Sequence, residues 1–376
     1  MDFSFTDDQL MIRDLARGIL EKELTPERLR EHEATAEAID RPLWSTLAKA
    51  GLLGLAVPTT LGGMGFGIVE ACILLEETGR AVAPIPTLPS VVLGALPIAR
   101  FGTPAQQEHW LPAMAAGDVI VTGALLEAAP CDPEMPTTTA RRDGDGWRLQ
   151  GTKQFVPAAH IARRILLFAA TETGTGCFLV DPDAAGVTIL RHEMSSGQPL
   201  FTVDLSDARV EQSDLLGDRV GAVAPRWLID RALVATSAAH VGVSEKVIEI
   251  TSRYVSEREQ FGVPIGSFQA VQHRLADCYI DLAAMRWVTW RAAWMLSRLD
   301  TAPRETAIAK FWTAEAGSRI ADAVQHLHGG IGVDLDYPIP RYFLWSKALE
   351  LTLGGAASHL VALGRHMART GPQELS

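Results

Sequence analysis

The chain has 376 residues and a formal net charge of -11, with 34 Lys and Arg against 45 Asp and Glu. Its length supports two or three structural units around a large buried core, and an acidic balance without a basic run argues against a nucleic-acid partner. No stretch approaches the roughly 20 apolar residues of a membrane span, the first residues are acidic where a secretory signal is basic, and Cys72, Cys131, Cys177 and Cys278 lack metal-ligand spacing, so a cytoplasmic protein with reduced thiols, no metal site and no membrane partner is expected.

Residues 1–118 read as an all-helical domain. Thr6 followed by Gln9 has capping-box spacing, with Phe5 and Leu10 placed as a hydrophobic staple, which predicts a helix starting at Asp7. The Gly-rich stretch 57–67 invites comparison with a phosphate cradle, but it lacks a Gly-Lys-Ser/Thr ending and follows no strand, so it reads as a turn between helices. From 119 to 218 come short runs rich in Val, Ile, Leu, Phe and Thr, broken by Gly-containing turns, which predict a β-domain. Helical periodicity returns over 219–376, in segments 226–257, 267–298 and 302–328 that are long enough for an antiparallel bundle. Trp287, Trp290, Trp294 and Phe311 exceed what one bundle core needs, which suggests burial against a partner.

Two segments of the C-terminal domain carry the chemistry. Arg258-Glu-Gln-Phe-Gly-Val-Pro-Ile-Gly266, continuing to Gln269, sets a cation, an aromatic ring and an amide around a turn between two helices, a clamp for a phosphorylated aromatic ligand. His326-Leu-His-Gly-Gly330 adds two glycines that let backbone approach a ligand closely.

These segments, with Gly51-Leu-Leu-Gly-Leu-Ala-Val-Pro58, Leu61-Gly-Gly-Met-Gly65, Gly151-Thr-Lys-Gln-Phe155, Asp214-Leu-Leu-Gly217 and Tyr337-Pro338 in this order, closely resemble the acyl-CoA dehydrogenase family over essentially the whole chain. The resemblance implies an α+β multidomain fold: an N-terminal helical domain, a middle β-barrel domain and a C-terminal four-helix bundle. It also implies FAD as cofactor, an acyl-CoA thioester as substrate, and electron-transfer flavoprotein as acceptor. On the positions that match, Arg258, Gln260, Phe261, Gln269, His326, Gly329 and Gly330 would contact the FAD of a neighbouring subunit; His326 stands where the family commonly has Gln.

The sequence departs from the family where the reaction needs a base. The two positions at which members carry a catalytic Glu fall on Leu353 and Ala232, neither of which accepts a proton. Asp230 and Glu350 are the carboxylates to weigh as relocated bases, although Asp230 is rotated about 200° around the helix from Ala232. The flavin-side segments are altered as well: residues 126–133 lack most of the family's small hydroxyl and glycine donors, and Phe155-Val-Pro157 replaces a Trp and a Thr that meet the flavin ring. This combination resembles the base-lacking partner subunit of actinobacterial heterotetrameric steroid side-chain acyl-CoA dehydrogenases. Such α2β2 enzymes, which serve cholesterol degradation, place the catalytic Glu on a homologous subunit.

Overall fold

The computed structural model describes residues 4–33, 35, 37–128, 132 and 134–370. Its contacts group the chain into two compact units, 1–71 with 84–232, and 72–83 with 233–376. Cys131 and three other residues of the segment 126–133 lie outside the described residues, whereas Cys72, Cys177 and Cys278 are buried free thiols.

The first unit opens with helices α1 (Asp7–Glu23), α2 (Pro26–Glu33) and α3 (Arg41–Lys49), followed by the start of α4 (Ile68–Arg80), then α5 (Leu96–Phe101) and α6 (Pro104–Ala115). Helix α1 begins at Asp7 with the expected capping box, in which Thr6 accepts from the Gln9 backbone N–H and Gln9 accepts from that of Thr6. Thr103 and Gln106 repeat the device at α6. The 57–67 stretch forms a 3-10 turn with Gly62 and Gly65 in left-handed backbone, as a connection between helices requires.

Strands β1 (Val121–Ala124), β2 (Thr139–Asp143), β3 (Gly146–Pro157), β4 (Arg164–Thr171), β5 (Gly174–Val180), β6 (Val187–His192) and β7 (Leu200–Glu211) make one seven-stranded sheet in the order β1-β4-β2-β3-β7-β6, with β5 on β4. Trp147 and Leu149 on β3, Ile165 and Leu167 on β4, Phe178 and Val180 on β5, and Phe201, Val203 and Leu205 on β7 alternate into one apolar core. Trp147 meets Phe178 edge-on at 5.4 Å.

The second unit is built on the remainder of α7 (Pro225–Glu257), on α8 (Gln269–Leu296), α9 (Pro303–His328), α10 (Ile339–Leu351) and α11 (Ala356–Thr370), with the 72–83 segment packed among them. A two-stranded ribbon, β8 (Glu259–Gln260) and β9 (Val263–Pro264), joins α7 to α8. Two glycines allow α4 and α7 to touch backbone to backbone. A Cβ added at Gly79 would lie 2.1 Å from the Ala239 carbonyl oxygen, and one at Gly242 would lie 1.9 Å from that of Glu76. Around this crossing Arg286 pairs with Glu76 at 2.9 Å and Glu245 at 3.2 Å, and Arg80 pairs with Glu249 at 2.6 Å.

Deeper in the bundle, His240 on α7 lies 2.8 Å from the Ser346 hydroxyl on α10, and its ring fills the space left by Gly317 on α9. Burial pushes the His240 imidazole down to about 3 from an ordinary 6.5. No described helix is long and apolar enough to cross a membrane.

Two measurements check this packing. Gly242→Ala forces the α4–α7 pair apart and should cost about 1–3 kcal/mol in chemical denaturation; an unchanged midpoint would contradict the close approach. His240 is protonated near pH 6.5 when unfolded but near 3 when folded, so its contribution is present above pH 6.5 and is lost as pH falls toward 3. Acidification to about pH 5.5 should therefore cost the wild type on the order of 1 kcal/mol more stability than His240→Gln.

Candidate functional site

The ribbon after α7 is an outward-pointing arm. Arg258 donates its backbone N–H to the Tyr254 carbonyl at 2.8 Å, and its own carbonyl accepts from Ile265 at 2.8 Å, which closes the ribbon's base. Glu259 pairs with Pro264 and Gln260 with Val263, leaving Phe261 and Gly262 as a two-residue turn. Both central residues have positive φ, 57° and 80°, the geometry that favours Asn-Gly or Gly-Gly in two-residue hairpins.

Placing Phe there costs about 1–2 kcal/mol relative to ordinary backbone. Packing within the chain does not repay that cost: the side chain is 93% exposed, touched edge-on by Phe268 at a centroid distance of 6.2 Å. Strain of this kind at an exposed aromatic points to function. Arg258 and Gln269 are exposed as well, and among the described residues neither side chain has a hydrogen-bond or ion-pair partner. The Gln260 side-chain amide donates to the Glu259 carbonyl. Helix α8 begins at Gln269 without a side-chain cap, and an uncapped helix start favours an anion.

The second segment follows α9. Gly329 takes φ 60° and ψ -138°, a conformation hard for other residues. Gly332 has a packing reason to be glycine, since a Cβ there would lie 2.9 Å from the Gln325 carbonyl oxygen. Gly330 has neither reason: its φ is not positive, and an added Cβ would meet nothing within 4 Å. His326 is exposed.

One residue absent from the motif reading, Tyr254, ties these segments together. Tyr254, one turn before Arg258, stacks on His328 at 4.4 Å and 23°, and Tyr337 tilts against the same imidazole at 5.4 Å. The four-residue spacing from Tyr254 to Arg258 was the available sequence signal, but the contact with His328 is tertiary.

Ala232 and Leu353, the positions at which the resemblance leads one to expect a base, carry no proton acceptor. Ala232 is fully buried on α7. Leu353 sits in left-handed backbone, φ 58°, in the loop after α10. That loop is tightly held: Lys310 donates to the Leu349 and Glu350 carbonyls at 2.9 Å each, and the Leu353 carbonyl lies 3.0 Å from His359 Nε2. Burial pushes the Lys310 amine down to about 7. Neither alternative carboxylate is free. Asp230 is fully buried and paired with Arg226, and Glu350 lies 3.3 Å from the Lys347 ammonium.

In the first unit, Phe155 also has positive φ, 54°, at a bulge in β3, and is 51% exposed. The Pro157 carbonyl accepts from the Thr122 hydroxyl at 2.7 Å. Glu127 is engaged by Lys153 at 2.7 Å and by the N–H and hydroxyl groups of Thr137 and Thr138. Burial raises its carboxyl, but these donors outweigh that and hold it at about 2. Among the described residues there is no His, Cys, Asp or Glu group able to hold a metal.

Known proteins share this architecture. Family models of acyl-CoA dehydrogenase match at the N-terminal domain over residues 6–118, the middle domain over 128–206 and the C-terminal domain over 222–368. Acyl-CoA dehydrogenase FadE27 of Mycobacterium tuberculosis is 38% identical, covering 98% of this chain and 100% of that protein. The solved ChsE4-ChsE5 complex of the same organism matches with TM-score 0.94 and 37% identity over 99% of this chain and 100% of its own. A Tcur3481-Tcur3483 steroid acyl-CoA dehydrogenase variant matches with TM-score 0.91 and 44% identity over 96% and 98%.

The strain at Phe261 is directly measurable. Phe261→Gly should leave the isolated chain as stable as wild type or up to about 1 kcal/mol more stable. A loss of stability would show that the ring packs within its own chain.

Proposed function

Because the chain belongs to the acyl-CoA dehydrogenase family, we propose that it is the base-lacking subunit of a heteromeric, FAD-dependent acyl-CoA dehydrogenase, lending its arm to a flavin held largely by a homologous partner. The observation that carries this reading is the arm itself: Phe261 is strained and exposed, and Arg258 is unpaired among the described residues. A cation, an exposed ring, an uncapped helix start and an open Gly330 fit a dinucleotide with a pyrophosphate. FAD supplies, when bound, the acceptor for the hydrogen that leaves the acyl β-carbon.

The chain's own residues then divide into those that bind and those that cannot react. Arg258 balances phosphate charge, Phe261 covers an apolar face of the cofactor, Gln260 and Gln269 offer amides, His326 offers a ring nitrogen, and Gly329 and Gly330 admit close backbone approach. Leu353 and Ala232 leave α-proton removal to a Glu of the partner. The exposed stripe on α8 fits such an assembly: Trp287 is 56% and Trp294 41% exposed, whereas Trp290 and Phe311 are largely covered.

The resemblance to steroid acyl-CoA dehydrogenase heteromers favours an α2β2 complex acting on a steroid side-chain CoA ester in the cytoplasm, with electron-transfer flavoprotein as acceptor. A self-sufficient homo-oligomer using Asp230 or Glu350 is less well supported, since both carboxylates are engaged by cations. A flavin-free scaffold gives no reason for the unpaired arm.

Co-purified with its homologous subunit, the wild-type chain should yield a flavin-loaded complex that reduces a dye with an acyl-CoA, while the chain alone yields neither. Stoichiometric FAD and turnover by the chain alone would overturn the proposal. Arg258→Ala should lower the FAD affinity of the complex by about tenfold or more. Gly330→Ala should leave the melting temperature of the chain unchanged yet lower the flavin content of the complex, a combination that an internal structural role would not produce.

A further inference from the structure

His328 has no task among the contacts that hold a flavin, yet its placement is unusual. It is the last residue of α9 and is almost completely buried. Nδ1 lies 2.8 Å from the Val324 carbonyl, so it carries the hydrogen and donates. Nε2 therefore carries a lone pair, and it is buried without a hydrogen-bond partner among the described residues. Buried polar atoms are almost always satisfied, so this one needs a reason.

Packing alone does not supply it, because a Phe would fill the same space without the unsatisfied nitrogen. The ring's neighbours are more informative. Tyr254 stacks on it at 4.4 Å, Tyr337 tilts against it at 5.4 Å, and the two tyrosine rings meet edge-on at 6.5 Å. Tyr254 is bonded through its carbonyl to the Arg258 N–H, and Arg258 closes the base of the arm. His328 is followed immediately by Gly329 and Gly330. The stack thus joins the two segments assigned to flavin contact, one at the end of α7 and one at the end of α9.

We propose that His328 is a positioning residue: its stack on Tyr254 holds the Arg258 arm and the Gly329–Gly330 turn in register, so that both meet the cofactor as one preformed surface. This rests on the flavin reading above. Preformed geometry raises affinity by removing the ordering cost from the binding step. It also makes the surface sensitive to acid. A second proton on the imidazole would put an N–H on Nε2, which has no hydrogen-bond partner among the described residues; the rings packed on the imidazole are Tyr254 on α7 and Tyr337 ahead of α10, and Glu257, on α7, acts on Tyr337. Burial holds the His328 imidazole below its ordinary range, and the Val324 carbonyl opposes this only in part. The register is therefore intact above the ordinary imidazole pKa of 6.5 and is lost as pH falls through the lowered value.

The test measures FAD dissociation by flavin fluorescence from the complex with the homologous subunit, across pH, for wild type, Tyr254→Leu, Tyr254→Phe, His328→Phe and Arg258→Ala. Tyr254→Leu should weaken binding by about tenfold at every pH, and Tyr254→Phe should restore it. His328→Phe keeps the stack but cannot titrate, so it should bind within about threefold of wild type near neutrality and lose the acid-side release. Wild-type affinity in Tyr254→Leu, or an unchanged acid limb in His328→Phe, would overturn the proposal. The Arg258→Ala arm separates the two levels. If it weakens binding while Tyr254→Leu does not, only the positioning role fails; if Arg258→Ala binds as tightly as wild type, the flavin reading fails and takes this proposal with it.

Discussion

The arm depends on two adjacent residues in left-handed backbone, Phe261 and Gly262. Reversing a ribbon in two residues needs that geometry, and glycine supplies it freely at only one of the two positions. At the other, a bulky aromatic is held in a conformation it disfavours and is then turned out of the protein. Everything nearby is consistent with a surface waiting for something external: an unpaired guanidinium among the described residues, a helix start without a cap, and a glycine that its own chain does not require. Among the described residues none of these features serves the packing or pairing of its own chain. A partner that completes the surface explains all of them together.

The same backbone signature recurs where the chemistry is missing. Among the described residues, Phe155 and Leu353 are the other bulky, incompletely buried residues with positive φ, and the sequence resemblance aligns them with positions expected to hold a flavin contact and a catalytic Glu. Lys310 and His359 brace the Leu353 loop, and Glu127 with Lys153 braces the sheet beside Phe155. Both loops are braced although neither position carries a reactive side chain. Such a pattern suits a subunit that must keep the shape of its relatives in order to pair with one of them.

Much of this was legible in the sequence. Capping chemistry placed the start of α1 at Asp7, and the change from helical to strand periodicity and back marked the sheet between two helical regions. Arg258, Phe261 and the Gly-Gly turn stood out because their residue types are rare together. The rest was not legible because it depends on long-range approach. Periodicity does not encode that Gly79 and Gly242 let α4 and α7 touch, which is why 72–83 groups with the C-terminal helices. Nor does it show that His328 stacks on Tyr254, more than seventy positions away. The pairing of Asp230 with Arg226 was within reach, since four residues on a helix bring the two side chains together.

On the proposed function, the chain completes a flavin site without owning one. The most direct test is the ratio of FAD to polypeptide in the purified complex with its homologous subunit, by flavin absorbance against quantitative amino-acid analysis. A borrowed site predicts one FAD for each pair of unlike chains. One FAD for every chain would contradict it.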